Sequence, residues 1–203
     1  YGKNTILKAI VFGGNEVTYQ SWYGVPESRL NNDTQAMLNT AAIEGWTQAQ
    51  TDNLLNSNSR TFNFYTYDNQ VDDYSQDHYQ LHFSNRFSSH WTANAALHYT
   101  YGRGFYEEYK NEQSFSDYGL GDVVIGGATV SSTDLIRRRW LDNDFYGTTF
   151  SLVYDKDKLS SVLGGAWNQY DGRHFGEIIW AEYAANAGND FRYYNSQATK
   201  NDF

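Results

Sequence analysis

Asp77-His78-Tyr79-Gln80-Leu81-His82-Phe83-Ser84-Asn85-Arg86-Phe87-Ser88-Ser89-His90-Trp91-Thr92-Ala93-Asn94-Ala95-Ala96-Leu97-His98-Tyr99-Thr100-Tyr101, with its continuation to Tyr106, is the stretch on which the fold turns. In its first half Tyr79, Leu81, Phe83 and Phe87 alternate with His78, Gln80, His82, Ser84 and Arg86. After Ser88-Ser89-His90, the residues Trp91, Ala93, Ala95, Leu97, Tyr99 and Tyr101 alternate with Thr92, Asn94, His98 and Thr100. Successive side chains on a strand point to opposite faces, so this period of two predicts a hairpin with one apolar and one polar face. Each arm is long, and aromatic residues stand at both ends of the apolar stripe. A transmembrane β-barrel has that pattern, with lipid outside, a polar lumen inside and aromatic girdles at the two interfaces.

Working outward, 145–154 and 159–167 repeat the logic around the charged turn Asp155-Lys156-Asp157-Lys158. Tyr146, Phe150, Leu152 and Tyr154 share one parity in the first arm; Leu159, Leu163 and Trp167 share one in the second. The segment from Lys3 to Tyr23 reads as one long strand bent near Gly13, and a further strand starts near 193. Strands are therefore expected near 3–23, 75–87, 91–106, 138–154, 159–170 and 193–203. Between them the connections 24–74, 88–90, 107–136, 155–158 and 171–192 alternate long and short. In an antiparallel meander every second connection lies on the same side, so all three long loops share one side and both tight turns the other. Outer-membrane barrels sort their loops in this way. The first long connection is itself partly helical, with helices expected at 34–43 and 47–55 and a helix start at Pro26. The fold class expected is all-β, an antiparallel meander of about five to six long strands from a transmembrane barrel.

Composition agrees. Aromatic residues make up 18 % of the 203, with 18 Tyr and 6 Trp, a bias that also suits a soluble carbohydrate-binding sandwich. Mean hydropathy is -0.71, and no run of about 18 apolar residues offers a helical span. The formal charge of -9 argues against nucleic acid as a partner. With no cysteine there is no disulfide framework and no thiolate metal site. The chain starts at Tyr1 with neither initiator Met nor signal peptide and ends in a rising strand signal, so a piece of a longer protein is expected.

Three further segments, read together with the hairpin, carry a family resemblance. They are residues 18–27 (Thr-Tyr-Gln-Ser-Trp-Tyr-Gly-Val-Pro-Glu), 65–74 (Tyr-Thr-Tyr-Asp-Asn-Gln-Val-Asp-Asp-Tyr) and 137–147 (Arg-Arg-Arg-Trp-Leu-Asp-Asn-Asp-Phe-Tyr-Gly). With the hairpin exit Tyr101-Gly-Arg-Gly-Phe-Tyr-Glu-Glu-Tyr109, they resemble the middle of the barrel of a TonB-dependent outer-membrane receptor of the Bacteroidetes type. The resemblance implies a bacterial outer-membrane location and energised uptake of a scarce ligand: a metal chelate, haem, cobalamin or a glycan. It implies contact with the TonB complex through an N-terminal region of the parent, with a plug domain that this chain does not show. The partners expected are that complex, a small-molecule or glycan ligand and outer-membrane lipid. A soluble carbohydrate-binding module and a passive porin-like channel are the alternatives.

No catalytic residue is expected, since no G-x-S-x-G elbow, phosphate loop or H-E-x-x-H occurs. No cofactor and no metal are expected either. His78 and His82, four residues apart on a strand, lie roughly 13 Å from each other and cannot share an ion; with His98 they read as hydrogen-bonded lumen residues. Asp72-Asp73 and Asp142-Asn143-Asp144 lack the rest of a calcium loop and read as solvated strand-end acids. Arg137 and Arg139 fall on the lumen parity near the outer rim and Arg138 on the outward one. They read either as ligand contacts or, the preferred reading, as partners of nearby acids. Trp46, Tyr65 and Tyr67, with Phe62 and Phe64, read either as a stacking surface for ligand or as the small core of a long loop, again the preferred reading. The candidate ligand-binding residues are thus Trp46, Tyr65, Tyr67, Arg137 and Arg139.

Overall fold

A computed structural model describes residues 4–183, 187–188 and 190–203. Lys3, where the predicted first strand begins, lies outside them, as do four positions of the predicted 171–192 connection. The chain forms two compact units, Tyr1–Val17 with Asp72–Phe203, and Thr18–Val71.

The strands are β1 (Thr5–Tyr19), β2 (Val71–Arg86), β3 (Trp91–Ser114), β4 (Val123–Ile125), β5 (Ala128–Val130), β6 (Ser132–Lys156), β7 (Leu159–Ala181) and β8 (Phe191–Asp202). Six of them form one sheet in the order β1-β2-β3-β6-β7-β8. Each long strand pairs with the next in the chain, so the sheet is an antiparallel meander. It stays open, with β1 and β8 as its edges. β4 and β5 form a separate hairpin closed by Gly126-Gly127, both at positive φ, the pair that a tight two-residue turn requires. In the sequence this hairpin falls inside the expected 107–136 connection.

The long strands correct the predicted boundaries. β3 runs to Ser114 rather than 106, β6 starts at Ser132 rather than 138, and β7 runs to Ala181 rather than 170. The connections become 20–70, 87–90, 115–131, 157–158 and 182–190; the last three are shorter than expected, and lengths still alternate. The reason is that the ladder continues after the alternation of apolar and polar residues ends. Glu107 pairs with Arg138, and Glu108 with Arg137, in register across β3 and β6. Register shifts at Lys110/Gln113, Ile136/Arg137 and Gly176/Glu177 gather at this far end, where bulges re-aim strands.

Gly104 is needed for close approach. A Cβ there would overlap the Asp73 carbonyl oxygen and lie 2.6 Å from Tyr74 Cα, so backbone would have to move. Gly104→Ala should lower stability by about 1–3 kcal/mol, as overpacking does. Denaturant unfolding followed by tryptophan fluorescence reads this; an unshifted midpoint would refute the tight β2–β3 contact.

The second unit holds α1 (Glu27–Leu30), α2 (Thr34–Glu44) and α3 (Gln48–Asn56). Asp33 caps α2 by accepting from Ala36 N at 3.0 Å, and Gly45 ends it with φ 66°. Thr47 and Gln50 form a capping box on α3. Met37, Leu54 and Phe62 make the core, with Val25, Trp46, Leu55 and Phe64 packed against it. The base is tied by Gln20 N to Gln70 O at 2.9 Å, Gln20 Nε2 to Val71 O at 2.8 Å and Asn63 Nδ2 to Gln20 O at 2.8 Å. A connection of this length holds because it is a small fold in itself.

Candidate functional site

Register fixes which side chains share a face. Leu81 lies opposite Leu97 and Phe83 opposite Ala95. Ala95 lies opposite Phe150, and Leu152 opposite Leu163. Asn85 Nδ2 donates to Thr5 Oγ1 at 2.6 Å, which brings Leu7, Ala9 and Val11 to the same face. These residues form an apolar band across five strands. Its large side chains are open: Leu81 is 40 % exposed, Leu97 55 % and Phe150 56 %. Aromatic rows bound it. At the turn end Trp91 packs on Tyr154 at 4.7 Å, with Phe87 stacked at 6.5 Å. At the other end Tyr79 stacks on Tyr99 at 5.9 Å, and Tyr146 meets Trp167 edge-on at 6.0 Å. From Trp91 to Tyr99 is eight steps, roughly 26 Å along the strand.

Past the upper aromatics this face changes character. Asp142, 4 % exposed, sits between Arg173 at 2.9 Å and Arg103 at 3.9 Å. Phe105, Trp140 and Phe175 form the next row. Arg138 bonds Glu107 at 2.8 Å and lies over Phe105, while Arg192 bonds Glu177 at 2.8 Å and lies over Phe175. Asp142 was expected as a solvated strand-end acid. It is instead a buried mid-strand acid, because β6 runs on and sets it between arginines of β3 and β7.

The opposite face is polar. His78 meets Gln76 at 3.1 Å and Thr100 at 3.0 Å, His82 meets Gln80 at 3.0 Å, and His98 meets Asn168 at 2.9 Å. The three rings thus engage separate neutral neighbours. Ser84 Oγ donates to Asn94 Oδ1 at 2.8 Å, and Asn94 Nδ2 to Ser151 Oγ at 3.1 Å, a chain across β2, β3 and β6. Side chains from β1 (Ile6, Lys8, Ile10) and β6 (Thr149, Ser151) line one concavity of about 580 Å³ there.

Toward the long-connection end of this polar face stand two predicted residues. Arg137 is tied to Glu108 at 2.8 Å and donates to Tyr118 Oη at 3.0 Å. Burial pulls its guanidinium down, and Glu108, Tyr118 and Tyr193 more than offset this and raise it. Arg139 bonds the Tyr194 side chain and lies 5.2 Å from the Tyr106 ring centre. Tyr193, packed edge-on to Tyr118 at 4.8 Å, is pushed up to about 12 chiefly by burial, and its hydroxyl has no hydrogen-bond partner among the described residues.

The other three predicted residues lie in the second unit. Trp46 packs with Phe64 at 4.9 Å and Tyr23 at 5.3 Å against the Met37–Leu54–Phe62 core. Tyr65 meets Phe64 edge-on at 5.4 Å. The carbonyls of Tyr65 and Tyr67 both face the Tyr19 hydroxyl, at 3.2 and 3.3 Å. These contacts make Trp46 part of the core and tie Tyr65 and Tyr67 through their backbone. Sequence reasoning missed Glu108, Tyr118, Tyr193 and Tyr194: Glu108 lies on the extended end of β3, Tyr118 in the turn that follows it, and the two tyrosines at the start of β8. No family model matches the chain, and no curated protein or solved structure matches it.

Proposed function

We propose that the chain is a sector of the wall of a bacterial outer-membrane β-barrel, with the apolar band facing lipid and the polar face lining the lumen. One observation carries this: an exposed apolar band between two aromatic rows, about 20 Å tall at a barrel's usual strand tilt near 40°, with the borders and close to the height of a barrel's lipid-facing belt. A soluble sandwich would bury Leu81, Leu97 and Phe150 under a second sheet. Among the described residues no such sheet exists. The alternation of long and short connections supports one outer and one periplasmic side. On the resemblance stated above, the barrel takes up a scarce ligand caught on the long-connection side, energised through TonB. The chain's part in this is wall and rim, without catalysis.

The chain has no cysteine of its own, so an introduced thiol is unique within it. Single cysteines placed from 92 to 98 on β3, in the intact protein in its native membrane, are treated with a membrane-impermeant maleimide. Labelling should alternate, with positions 94, 96 and 98 reacting and 93, 95 and 97 protected. Uniform labelling would refute the lipid-facing assignment. Uptake that survives collapse of the inner-membrane proton gradient would replace energised transport with a passive channel.

A further inference from the structure

Arg137, Arg138 and Arg139 are adjacent in sequence but not alike in charge balance. Arg137 is closed by Glu108 and Arg138 by Glu107, each at 2.8 Å. Arg139 has no carboxylate partner among the described residues; phenols surround it, with Tyr194 bonded to it and Tyr106 beneath it. Glu108 is already held by Arg137. Asp72 shares the row, but Tyr106 of β3 stands between it and Arg139, so two strand spacings, about 10 Å, separate them. Opposite Arg139 on β7 is Gly176, whose missing side chain leaves the space that the Tyr193 and Tyr194 rings occupy. The result is one half-exposed guanidinium that donates to the Tyr194 hydroxyl and lies over the Tyr106 ring, with the unpartnered Tyr193 hydroxyl nearby.

A guanidinium presents its donors as a planar fork that matches a carboxylate in a bidentate manner. Phenol hydroxyls supply further neutral donors and no competing negative charge. We propose that Arg139, with Tyr194 and Tyr106, is the anchoring site for a carboxylate-bearing ligand on the polar face. This deepens the transport reading and rests on it for access: the site is at the long-connection end of the lumen wall, where a captured solute would arrive.

Citrate is a suitable carboxylate probe. Isothermal titration of the detergent-solubilised full-length protein at low ionic strength, where screening is weakest, should show saturable binding. Arg139→Gln should weaken it about tenfold or more, and Arg139→Lys by a smaller factor, because an ammonium keeps the charge and loses the fork. Equal affinity in Arg139→Gln and wild type, or no binding by wild type at millimolar citrate, would overturn the assignment. Should Arg139→Gln fail to fold, the lysine variant carries the test, and unchanged citrate affinity there overturns it. The two readings fail separately. Alternating cysteine labelling without citrate binding removes only the anion site, and arginine-dependent citrate binding without alternation removes only the membrane wall.

Discussion

Glu108→Ala is expected to lower the stability of the sheet by about 3 kcal/mol, the lower end of the range for removing one partner of a buried ion pair. Both side chains are largely out of water, Glu108 at 9 % and Arg137 at 17 % relative exposure. The loss is larger than that of an exposed pair, about 0–1 kcal/mol, because truncation leaves a desolvated guanidinium with Tyr118 as its remaining hydrogen-bonded neighbour. The damage should be local in cause and wide in effect. Arg137 lies at the bulge between Ile136 and Arg137 and packs beside the Tyr118–Leu135–Ile178 cluster. Replacing both partners, as in Glu108→Leu with Arg137→Met, should recover most of the loss, since no buried charge then remains unpaired. Equilibrium unfolding of the two variants decides it. A single variant as stable as wild type, or a double variant worse than the single, would show that the pair does not hold the extended ends of β3 and β6 together.

That prediction touches the part of the fold that was least legible in the sequence. Between 77 and 101 each apolar residue announces its face by parity alone, and the register of β2 on β3 follows that parity. The capping residues Asp33 and Thr47 mark helix starts locally, and α2 and α3 begin there. From Tyr106 onward the signal changes kind. Glu107 and Glu108 on β3 look like loop acids until Arg138 and Arg137 of β6 stand opposite them, 31 and 29 residues away. Arg173 and Glu177 hide the second half of β7 in the same way. Their partners, Asp142 on β6 and Arg192 on β8, lie on neighbouring strands. Cross-strand charge pairs are a property of register, and register is not written in one strand. The same holds for Arg137 and Arg139. Their type and parity were readable, but which one lacks an acid depends on where Glu108 and Tyr194 arrive.

The membrane reading stands on an adjacent pair of alanines. Ala95 and Ala96 are the same residue on the same strand, placed on opposite faces: Ala95 opposite Phe83 and Phe150, Ala96 opposite His82 and Thr149. An arginine at 95 would sit near the middle of the apolar band, halfway between Trp91 and Tyr99. If that band faces hydrocarbon, Ala95→Arg costs about 2–4 kcal/mol, the value for a charge at the midplane of a barrel's lipid face. If the face is merely open to water, the same change is a surface substitution, within about 0.5 kcal/mol. Ala96→Arg supplies the internal control, because the side chain enters the polar concavity beside Ser84, Asn94 and Thr149, where water solvates it. The difference between the two variants therefore cancels strand propensity and residue size and isolates the solvent on each side. Folding free energies measured in lipid bilayers, or the fraction of each variant that reaches the outer membrane in a folded form, should show Ala95→Arg strongly impaired and Ala96→Arg near wild type. Equal tolerance of both substitutions would mean that no bilayer lies against Leu97 and Phe150, and the barrel assignment would fall with it.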